Sequence, residues 1–458
     1  MSEFSQAPPK VGMISLGCPK NRVDSEIMLG HLADRGYSIS NDIEAADTVI
    51  VNTCGFIEEA KQESIDTILE VAGRKGDGVG KLLVAGCMVN RYGEELAESI
   101  PEIDGFIGLD QLRQAPDLVQ LGGGPPPPSP AHLVFDHEEP RTLTTRGHAY
   151  LKVAEGCNNP CTFCAIPVWR GRFRSRSIES LVEEARRLQD TGIQELCLIA
   201  QDTTRYGFDI GLGRHGLTRL VEALLARTSI PWIRFLYAYP TTLDGELLRL
   251  MGREERFASY LDMPLQHSHP EILSAMRRGG GPERYLQLLQ EARELAGDVF
   301  LRSTFIVGFP GETEEHFEHL LAFVEKARLD HLGGFVYSPE EDTPSSRLPR
   351  RVPRSTARRR YEKLLELQRP IAEARRQALV GRRLQVLVEG VCEETEHLLQ
   401  GRHHGMAPEI DGRLLINDGF APAGTLAEVE VTAAYADDLV GRIVGPEGAP
   451  GVRPAEPM

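Results

Sequence analysis

The chain has 458 residues and a formal net charge of −16, because 67 Asp and Glu residues outnumber 51 Lys and Arg residues. This acidic balance argues against a protein that coats nucleic acid over its whole surface. Hydrophobic residues at 41% and charged residues at 26% are typical of a folded globular chain, and no apolar run of about eighteen residues predicts a membrane span. At about 150 residues per domain, the length predicts three domains.

The first part of the chain alternates short apolar segments with helical patterns. Predicted strands cover residues 10–16, 47–51 and 81–85, and predicted helices cover 23–35, 57–72 and 92–98. Near-continuous apolar strands separated by helices predict an open parallel α/β sheet covered on both faces, which we place in a first domain at residues 9–121. We interpret Asp24 and Glu26 as helix-capping residues.

A glycine- and proline-rich segment follows at residues 122–130, with the sequence GGGPPPPSP. Four consecutive prolines favour a stiff polyproline spacer, and the preceding glycines favour a joint. We therefore interpret this segment as a linker between domains.

A second series of strands and helices begins near residue 149. Predicted strands cover residues 150–153, 195–199, 233–237, 260–263, 299–307 and 333–337, with helices between them such as 178–191 and 282–295. This alternation predicts an open or closed parallel βα barrel as a second domain, residues 143–379.

The last part of the chain differs from the rest in its charge and in its pattern of apolar and polar residues. Residues 347–383 are helical in pattern and carry thirteen Arg and Lys residues against three Glu residues. Short alternating runs between Gly and Asn-Asp-Gly turns then predict a small antiparallel β-barrel as a third domain, residues 380–446. From residue 381 onward the chain contains six Arg residues and thirteen Asp and Glu residues, which gives a net charge of −7.

The chain has eight cysteines. Residues 1–10 show no basic segment followed by an apolar core, so we expect no export signal and a cytoplasmic location. Disulfides are rare in that reducing compartment, where cysteines are more often metal ligands, nucleophiles or buried apolar residues. We expect Cys197 and Cys392 to be buried and inert.

Cys157, Cys161 and Cys164 form a CX3CX2C motif directly after the first predicted barrel strand. Active sites of βα barrels lie at the carboxyl ends of the strands. Three thiolates at this spacing can hold three corners of a [4Fe–4S] cluster and leave the fourth iron open. A zinc site completed by a distant His or Cys remains the alternative.

Cys18, Cys54 and Cys87 are far apart in the sequence, yet each lies just after a predicted parallel strand. Such strand ends share one edge of an open α/β sheet, where ligands bind. This placement predicts a second [4Fe–4S] cluster with an open iron. The alternative is chance burial, because cysteine is a common core residue.

The CX3CX2C motif, with Phe163 as the aromatic residue before its last cysteine, resembles the radical S-adenosylmethionine (SAM) superfamily. The resemblance implies that SAM binds the open iron and that a radical is generated there, so no acid or base residue is assigned a catalytic role. It also implies cofactor contacts from Phe163, Gln201, Gln266 and Gly308, for which ordinary packing is the alternative.

Taken with the N-terminal cysteines, the chain resembles the methylthiotransferase family along nearly its whole length. The resemblance implies a cysteine domain, a radical SAM core and a TRAM β-barrel, with two [4Fe–4S] clusters. It implies that the second cluster binds the inserted sulfur, and that SAM serves both as methyl donor and as radical source.

Three segments resemble the RimO-type branch of this family, which acts on the β-carbon of an aspartate in small-subunit ribosomal protein twelve. They are SLGCPKN at residues 15–21, NTCGFI at 52–57 and AQDTT at 200–204. The alternatives are a tRNA-adenosine methylthiotransferase and a non-catalytic iron–sulfur scaffold on ribosomes.

The expected partners follow from charge and chemistry. An acidic terminal barrel repels RNA and suits a basic ribosomal protein, alone or within the ribosomal subunit. We expect a reductant protein such as flavodoxin or ferredoxin, nucleic-acid contact that is at most peripheral, no membrane association and a monomer. The basic segment 347–383 either pairs with acidic surface within the protein or touches ribosomal RNA.

Overall fold

The computed structural model describes residues 8–76 and 78–445. Residues 1–7, which carry part of the expectation about an export signal, and residue 446, the predicted end of the third domain, lie outside the described residues. Within these two ranges, no helix is both long enough and apolar enough to cross a lipid bilayer.

The N-terminal domain is built on a parallel sheet whose described strands run in the order β2-β1-β3-β4-β5. Its strands are β1 (Lys10–Ser15), β2 (Ser38–Ser40), β3 (Thr48–Thr53), β4 (Lys81–Gly86) and β5 (Gly105–Ile107). Its helices are α1 (Pro19–Asp34), α2 (Glu58–Ala72), α3 (Cys87–Ser99) and α4 (Ala115–Leu121). Every residue of the central strand β3 is buried. The predicted open parallel α/β sheet is therefore confirmed.

The glycine- and proline-rich segment, which we interpret as a linker between domains, packs against the first domain. Phe106 N donates to Gly124 O at 2.9 Å, which adds a short antiparallel bridge to the edge strand β5. Asn90 Nδ2 donates to Pro128 O at 3.1 Å. The prolines thus lie on α3 and on the edge strand β5, where their lack of N–H donors costs nothing in the sheet.

The central domain contains strands and helices in alternation. Its strands are β6 (His148–Lys152), β7 (Ala154–Glu155), β8 (Arg174–Ser175), β9 (Glu195–Ile199), β10 (Trp232–Phe235), β11 (Tyr260–Asp262), β12 (Phe300–Val307) and β13 (His331–Val336). Its helices are α5 (Ile166–Arg170), α6 (Ile178–Asp190), α7 (Gly216–Arg227), α8 (Gly245–Arg253), α9 (Pro270–Ala275), α10 (Pro282–Ala296), α11 (Glu314–Ala327) and α12 (Arg354–Gln377).

Six of these strands form an open parallel arc. Strand β9 pairs with both β6 and β10, and strand β12 pairs with both β11 and β13. An isolated parallel bridge between Ile233 and Phe257 joins the two groups. In the described part of the chain, β6 and β13 do not pair, so the barrel does not close. Helix α1 of the first domain packs against β6, and α12 packs against β13.

The basic segment before the third domain forms the long helix α12, and part of its charge is paired within the protein. Arg360 lies 3.3 Å from Glu312, and Arg375 lies 2.6 Å from Asp330. These pairs hold α12 against the loops that follow β12 and α11.

The C-terminal domain is a closed barrel of short strands. They are β14 (Arg383–Cys392), β15 (Thr395–His403), β16 (Leu414–Asp418), β17 (Leu426–Ala434) and β18 (Leu439–Ile443). The neighbours pair antiparallel except β16 and β18, which run parallel. This pair departs from the expected all-antiparallel arrangement. Strand β17 lies between β16 and β18 in the sequence and runs in the opposite direction, so β16 and β18 run in the same direction.

The three domains share buried apolar contacts. One hydrophobic core combines residues of α1, such as Ile27, with Tyr150 and Cys197 of the central arc and Val386 of the terminal barrel. Cys197 and Cys392 are both buried, as expected. The arc also has its own core beneath helices α6 to α11.

Candidate metal centres at the domain interface

The structure places the three N-terminal cysteines at one edge of the first sheet. Cys18 follows β1 and directly precedes α1, Cys54 directly follows β3, and Cys87 is the first residue of α3 after β4. Since β1, β3 and β4 are neighbours, their carboxyl ends bring the three cysteines together. Cys54 and Cys87 are buried, with exposures of 9% and 7%.

Two buried amides and one glycine fix the loops that carry these cysteines. Asn21 Nδ2 donates to Leu16 O at 2.7 Å, and Asn52 Nδ2 donates to Asn21 O at 2.8 Å. Gly17 has a φ of +86°, and a Cβ at this position would lie 2.7 Å from Cys54 Cβ. Gly17 is therefore required both by backbone conformation and by the close approach of the β1 and β3 loops.

Arg170 of the central domain reaches across the interface to the N-terminal cysteines. Its Nε and Nη2 atoms lie 3.3 and 3.1 Å from Cys87 Sγ. Nη1 donates to the two oxygens of Glu155 at 3.0 and 3.1 Å, and Nη2 donates to Asp24 Oδ2 at 2.9 Å. With 3% of its surface exposed, Arg170 relies on these partners in place of water.

A buried group of charges surrounds Arg170. Lys152 Nζ contacts Asp24 and lies 2.8 Å from Glu155 Oε2, so two cations and two anions neutralise one another. Gln201 Nε2 also donates to Glu155 Oε1 at 2.7 Å. Removing one partner from such a group leaves an uncompensated buried charge, which costs about 3–5 kcal/mol.

The expectation that Asp24 and Glu26 cap a helix is wrong. Both lie inside α1, and both are 1% exposed. Asp24 pairs with Lys152 and Arg170, while Glu26 pairs with Arg141. The two carboxylates therefore fasten α1 to the central domain.

Nearby charges act differently on the three thiols. Burial raises the pKa of Cys54 to about 12, assisted by the charges of Cys87 and Cys18. Burial also raises the pKa of Cys87, against the charge of Arg170. At Cys18 burial is outweighed by Lys20 and Arg170, and the pKa is lowered. The mutual influence of the three thiols follows from their closeness.

The CX3CX2C cysteines lie in the loop between β7 and α5. Asn159 N donates to Cys157 Sγ at 3.4 Å, and Cys164 N donates to Cys161 O at 3.3 Å. Arg278 Nη1 lies 3.7 Å from Cys161 Sγ. Burial raises the pKa of Cys157 to about 11 and that of Cys164 to about 12.

Neither trio is arranged around a single metal ion. Among the residues that the structure describes, no three or more His, Cys, Asp or Glu side chains converge closely enough to bind one ion. A [4Fe–4S] cube places its thiolate ligands on different irons and so needs a wider arrangement than one ion does. The donor set of three thiols in each trio fits such a cube with one iron left open.

The residues predicted to contact SAM fall into three places. Phe163 and Gln266 line one cavity of about 90 Å³, which also includes Phe56 and Ile57 of the N-terminal domain. Gly308 lines a neighbouring cavity of about 330 Å³ that shares Tyr337 as part of its wall. Gln201 does not line either cavity, and its side chain is bonded to Glu155.

Sequence reasoning missed the charged group around Arg170. Its members are Asp24, Lys152, Glu155 and Arg170. Asp24 contacts Lys152 and Arg170 across the interface, and each of these two residues is more than 120 positions away from it in the chain. A signal was present, because Lys152 and Glu155 interrupt an otherwise apolar strand region. Charged residues are almost never fully buried unless they are paired.

Three family models match consecutive parts of the chain. A family described as "Uncharacterized protein family UPF0004" matches residues 10–108, the Radical SAM superfamily matches residues 151–324, and the TRAM domain matches residues 380–444. Together with the open βα arc and its strand-end cysteine loop, these matches define a radical SAM enzyme.

Curated relatives cover nearly the whole chain. The "Ribosomal protein uS12 methylthiotransferase RimO" of Myxococcus xanthus is 47% identical over 95% of this chain and 92% of that protein. The protein of the same name from Solibacter usitatus is 46% identical over 98% of this chain and 97% of that protein. The chain belongs to the RimO family of methylthiotransferases.

Solved structures show the same fold at low sequence identity. The radical S-adenosylmethionine methyltransferase TsrM from Kitasatospora setae, solved with cobalamin and a [4Fe–4S] cluster bound, has a TM-score of 0.54 and is 16% identical. The match covers 74% of this chain and 77% of that chain. This likeness concerns the fold.

Proposed function

We propose that the chain attaches a methylthio group to the β-carbon of an aspartate in ribosomal protein uS12. The observation that carries this proposal is that both cysteine loops border one domain interface, because Cys87 packs in one cluster with Ala165, and Phe56 and Phe163 line one cavity. A sulfur-inserting enzyme needs both centres near one substrate carbon. The names of the curated relatives support the choice of substrate.

The proposal assigns a [4Fe–4S] cluster to each trio. Cys157, Cys161 and Cys164 would hold the cluster that binds SAM, and Cys18, Cys54 and Cys87 would hold the cluster that carries the sulfur. When bound, these groups supply an electron, a methyl group, a sulfur atom and a carbon radical able to attack an unactivated C–H bond.

The side chains around the cavities have defined tasks in this proposal. Phe163 offers an aromatic face for the adenine of SAM, and Gln266 offers an amide in the same cavity. Gly308 would contact SAM from the wall of the neighbouring cavity; its φ is +79°, and a Cβ there would clash with Ala357 of α12, so glycine is required for the packing of α12 beside this cavity. Gln201 orients Glu155, and through it the charged group at the interface.

Exclusion of water is the second task of the interface. Asp24, Lys152, Glu155 and Arg170 are each 1–6% exposed, so the boundary between the two cysteine domains is closed at this point. A closed site protects a reactive radical from side reactions.

Charge supports a basic protein substrate. The terminal barrel is acidic, and exposed Glu and Asp residues of α2 line a groove beside the cavity of Gly308.

We propose a flavodoxin- or ferredoxin-type reductant, a monomeric chain, a cytoplasmic location and nucleic-acid contact that is at most peripheral. The reductant would supply the electron to the cluster of the central trio, and the other three do not enter the chemistry at the cysteines.

One experiment separates the candidate functions. Anaerobically reconstituted protein with dithionite, SAM and sulfide is incubated with uS12 and, separately, with tRNA. We expect methylthiolated aspartate in a uS12 peptide by mass spectrometry. A methylthio-nucleoside in digested tRNA instead would transfer the proposal to the tRNA branch, and release of no 5′-deoxyadenosine would leave the scaffold reading.

A further inference from the structure

Arg170 ties the two halves of the candidate site together. It ends helix α5, which follows the CX3CX2C loop, yet two of its nitrogen atoms approach the sulfur of Cys87 in the other domain. All three guanidinium nitrogens are engaged, since Asp24 and Glu155 accept the remaining donors. The side chain therefore has one well-defined place and orientation.

The anions around Arg170 hold the guanidinium at the sulfur. Asp24 comes from the same domain as Cys87, and Glu155 ends strand β7, directly before the loop that carries the other trio. Both carboxylates also contact Lys152, so Arg170 supplies one of the two positive charges that balance Asp24 and Glu155. A lysine at position 170 could keep the charge but not the fork of donors.

We propose that Arg170 is a positioning residue for the N-terminal cluster, holding Cys87 through two N–H···S hydrogen bonds and raising the reduction potential of that cluster. This inference rests on the proposed function, because it takes Cys87 as a cluster ligand. Reduction adds negative charge at the irons and sulfurs, and donors aimed at a ligand sulfur stabilise that charge. Hydrogen bonds to sulfur and local net charge are known determinants of cluster potential.

The test uses the full chain with Cys157, Cys161 and Cys164 all changed to Ala, so that the N-terminal cluster is measured alone. Arg170→Lys is introduced into this parent, and the midpoint potential is measured by anaerobic redox titration followed by electron paramagnetic resonance. We expect a more negative midpoint potential than in the parent, with about four irons per chain retained.

Arg141→Lys in the same parent is the matched control. Arg141 is also buried at the interface and pairs with Glu26 of α1 and Glu184 of the central domain. Within the described residues it forms no hydrogen bond to a cysteine. We expect its potential to equal that of the parent, and circular dichroism checks that both variants are folded.

The outcomes separate cleanly. An unchanged potential in Arg170→Lys, or an equal shift in both variants, overturns the inference, because loosening of the interface would then explain any effect. Loss of iron from Arg170→Lys also overturns it, because the inference requires a shifted potential in a cluster that is still present. If Arg170→Lys does not fold, Arg170→Gln takes its place with the same expectation. If the parent holds no iron, the assignment of Cys18, Cys54 and Cys87 fails, and the inference fails with it.

Discussion

At the scale of single residues, each cysteine trio can be disabled without touching the other. Cys161→Ala removes one thiolate from the central trio, so we expect about four irons per chain to remain and SAM cleavage to be abolished. Cys54→Ala removes one thiolate from the N-terminal trio, so we expect abortive SAM cleavage to continue while sulfur transfer stops. Iron content, 5′-deoxyadenosine and uS12 peptide mass are measured on each anaerobic variant.

Cys392→Ala is the control for cysteine loss, because Cys392 is buried in the terminal barrel, 4% exposed and remote from both trios. It is expected to keep about eight irons and full methylthiolation. Normal methylthiolation in Cys161→Ala or Cys54→Ala would contradict the role assigned to the substituted cysteine.

A second residue-scale prediction concerns His148 at the start of β6. Among the described residues neither ring nitrogen has a hydrogen-bond partner, and burial, reinforced by the charge of Arg402, lowers its pKa to about 3. The folded protein keeps this ring neutral, whereas the unfolded chain protonates it below about pH 6.5. Stability is therefore lost as the pH falls through 6.5, by about 1 kcal/mol per pH unit near pH 6.

His148→Phe removes this proton uptake and keeps a ring beside Tyr150. Its free energy of unfolding, from urea denaturation of the anaerobic protein between about pH 7 and pH 5.5, should depend less steeply on pH than that of the parent. His397→Phe, at an exposed position of the terminal barrel, should leave the dependence unchanged. Equal slopes in His148→Phe and the parent would show that His148 is protonated in the folded state.

At the scale of elements, the turn between β1 and α1 determines how closely two cysteine loops approach. Gly17→Ala adds strain at a φ of +86° and a methyl group 2.7 Å from Cys54 Cβ, so the β3 loop must move. We expect a loss of about 1–2 kcal/mol from strain alone and, in addition, loss of iron from the N-terminal trio. Iron content and the thermal unfolding midpoint measure the two effects.

Gly36→Ala isolates the strain from the clash. Gly36 has the same φ of +86°, but no described atom lies within 4 Å of its added Cβ. This variant should lose similar stability and keep all its iron. If Gly17→Ala also keeps all its iron, the two loops do not need their present closeness to hold the cluster.

The elements also show what a sequence can and cannot predict. The strand at Glu195–Ile199 was predicted at its observed bounds, because a buried parallel strand is a short apolar run between polar residues. Helix α1 begins at Pro19, four residues before the predicted start, because proline is tolerated at the first helical position. The contact between Arg170 and Cys87 joins residues 83 positions apart and leaves no periodic signal.

One part of the candidate site could also be predicted from the sequence, and another part could not. The placement of Cys18, Cys54 and Cys87 at one sheet edge follows from strand order, and the structure reproduces that placement. The pairing of Asp24 with Lys152 depends instead on how two domains dock, which local patterns do not encode. Charged residues in a buried strand indicate that a partner exists, but they do not identify it.

At the scale of the whole molecule, charge is distributed unevenly over the three domains. The terminal barrel is acidic, whereas the adjoining helix α12 is basic and part of its charge is paired within the protein. The acidic barrel should therefore attract a basic substrate, as should the acidic groove along α2. Electrostatic steering of that kind acts on encounter more than on the chemical step.

The last prediction tests this steering with uS12 as substrate. Raising the salt concentration from about 0.05 M to about 0.3 M, which shortens the screening length to below about 10 Å, should lower kcat/KM several-fold and leave kcat unchanged. Neutralising two exposed barrel carboxylates, Glu393→Gln with Glu396→Gln, should raise KM and weaken the salt dependence. The matched pair Glu283→Gln with Glu294→Gln removes the same charge from α10 and should change neither. If both pairs raise KM equally, the total charge of the chain attracts the substrate, and the barrel has no special part in recognising it.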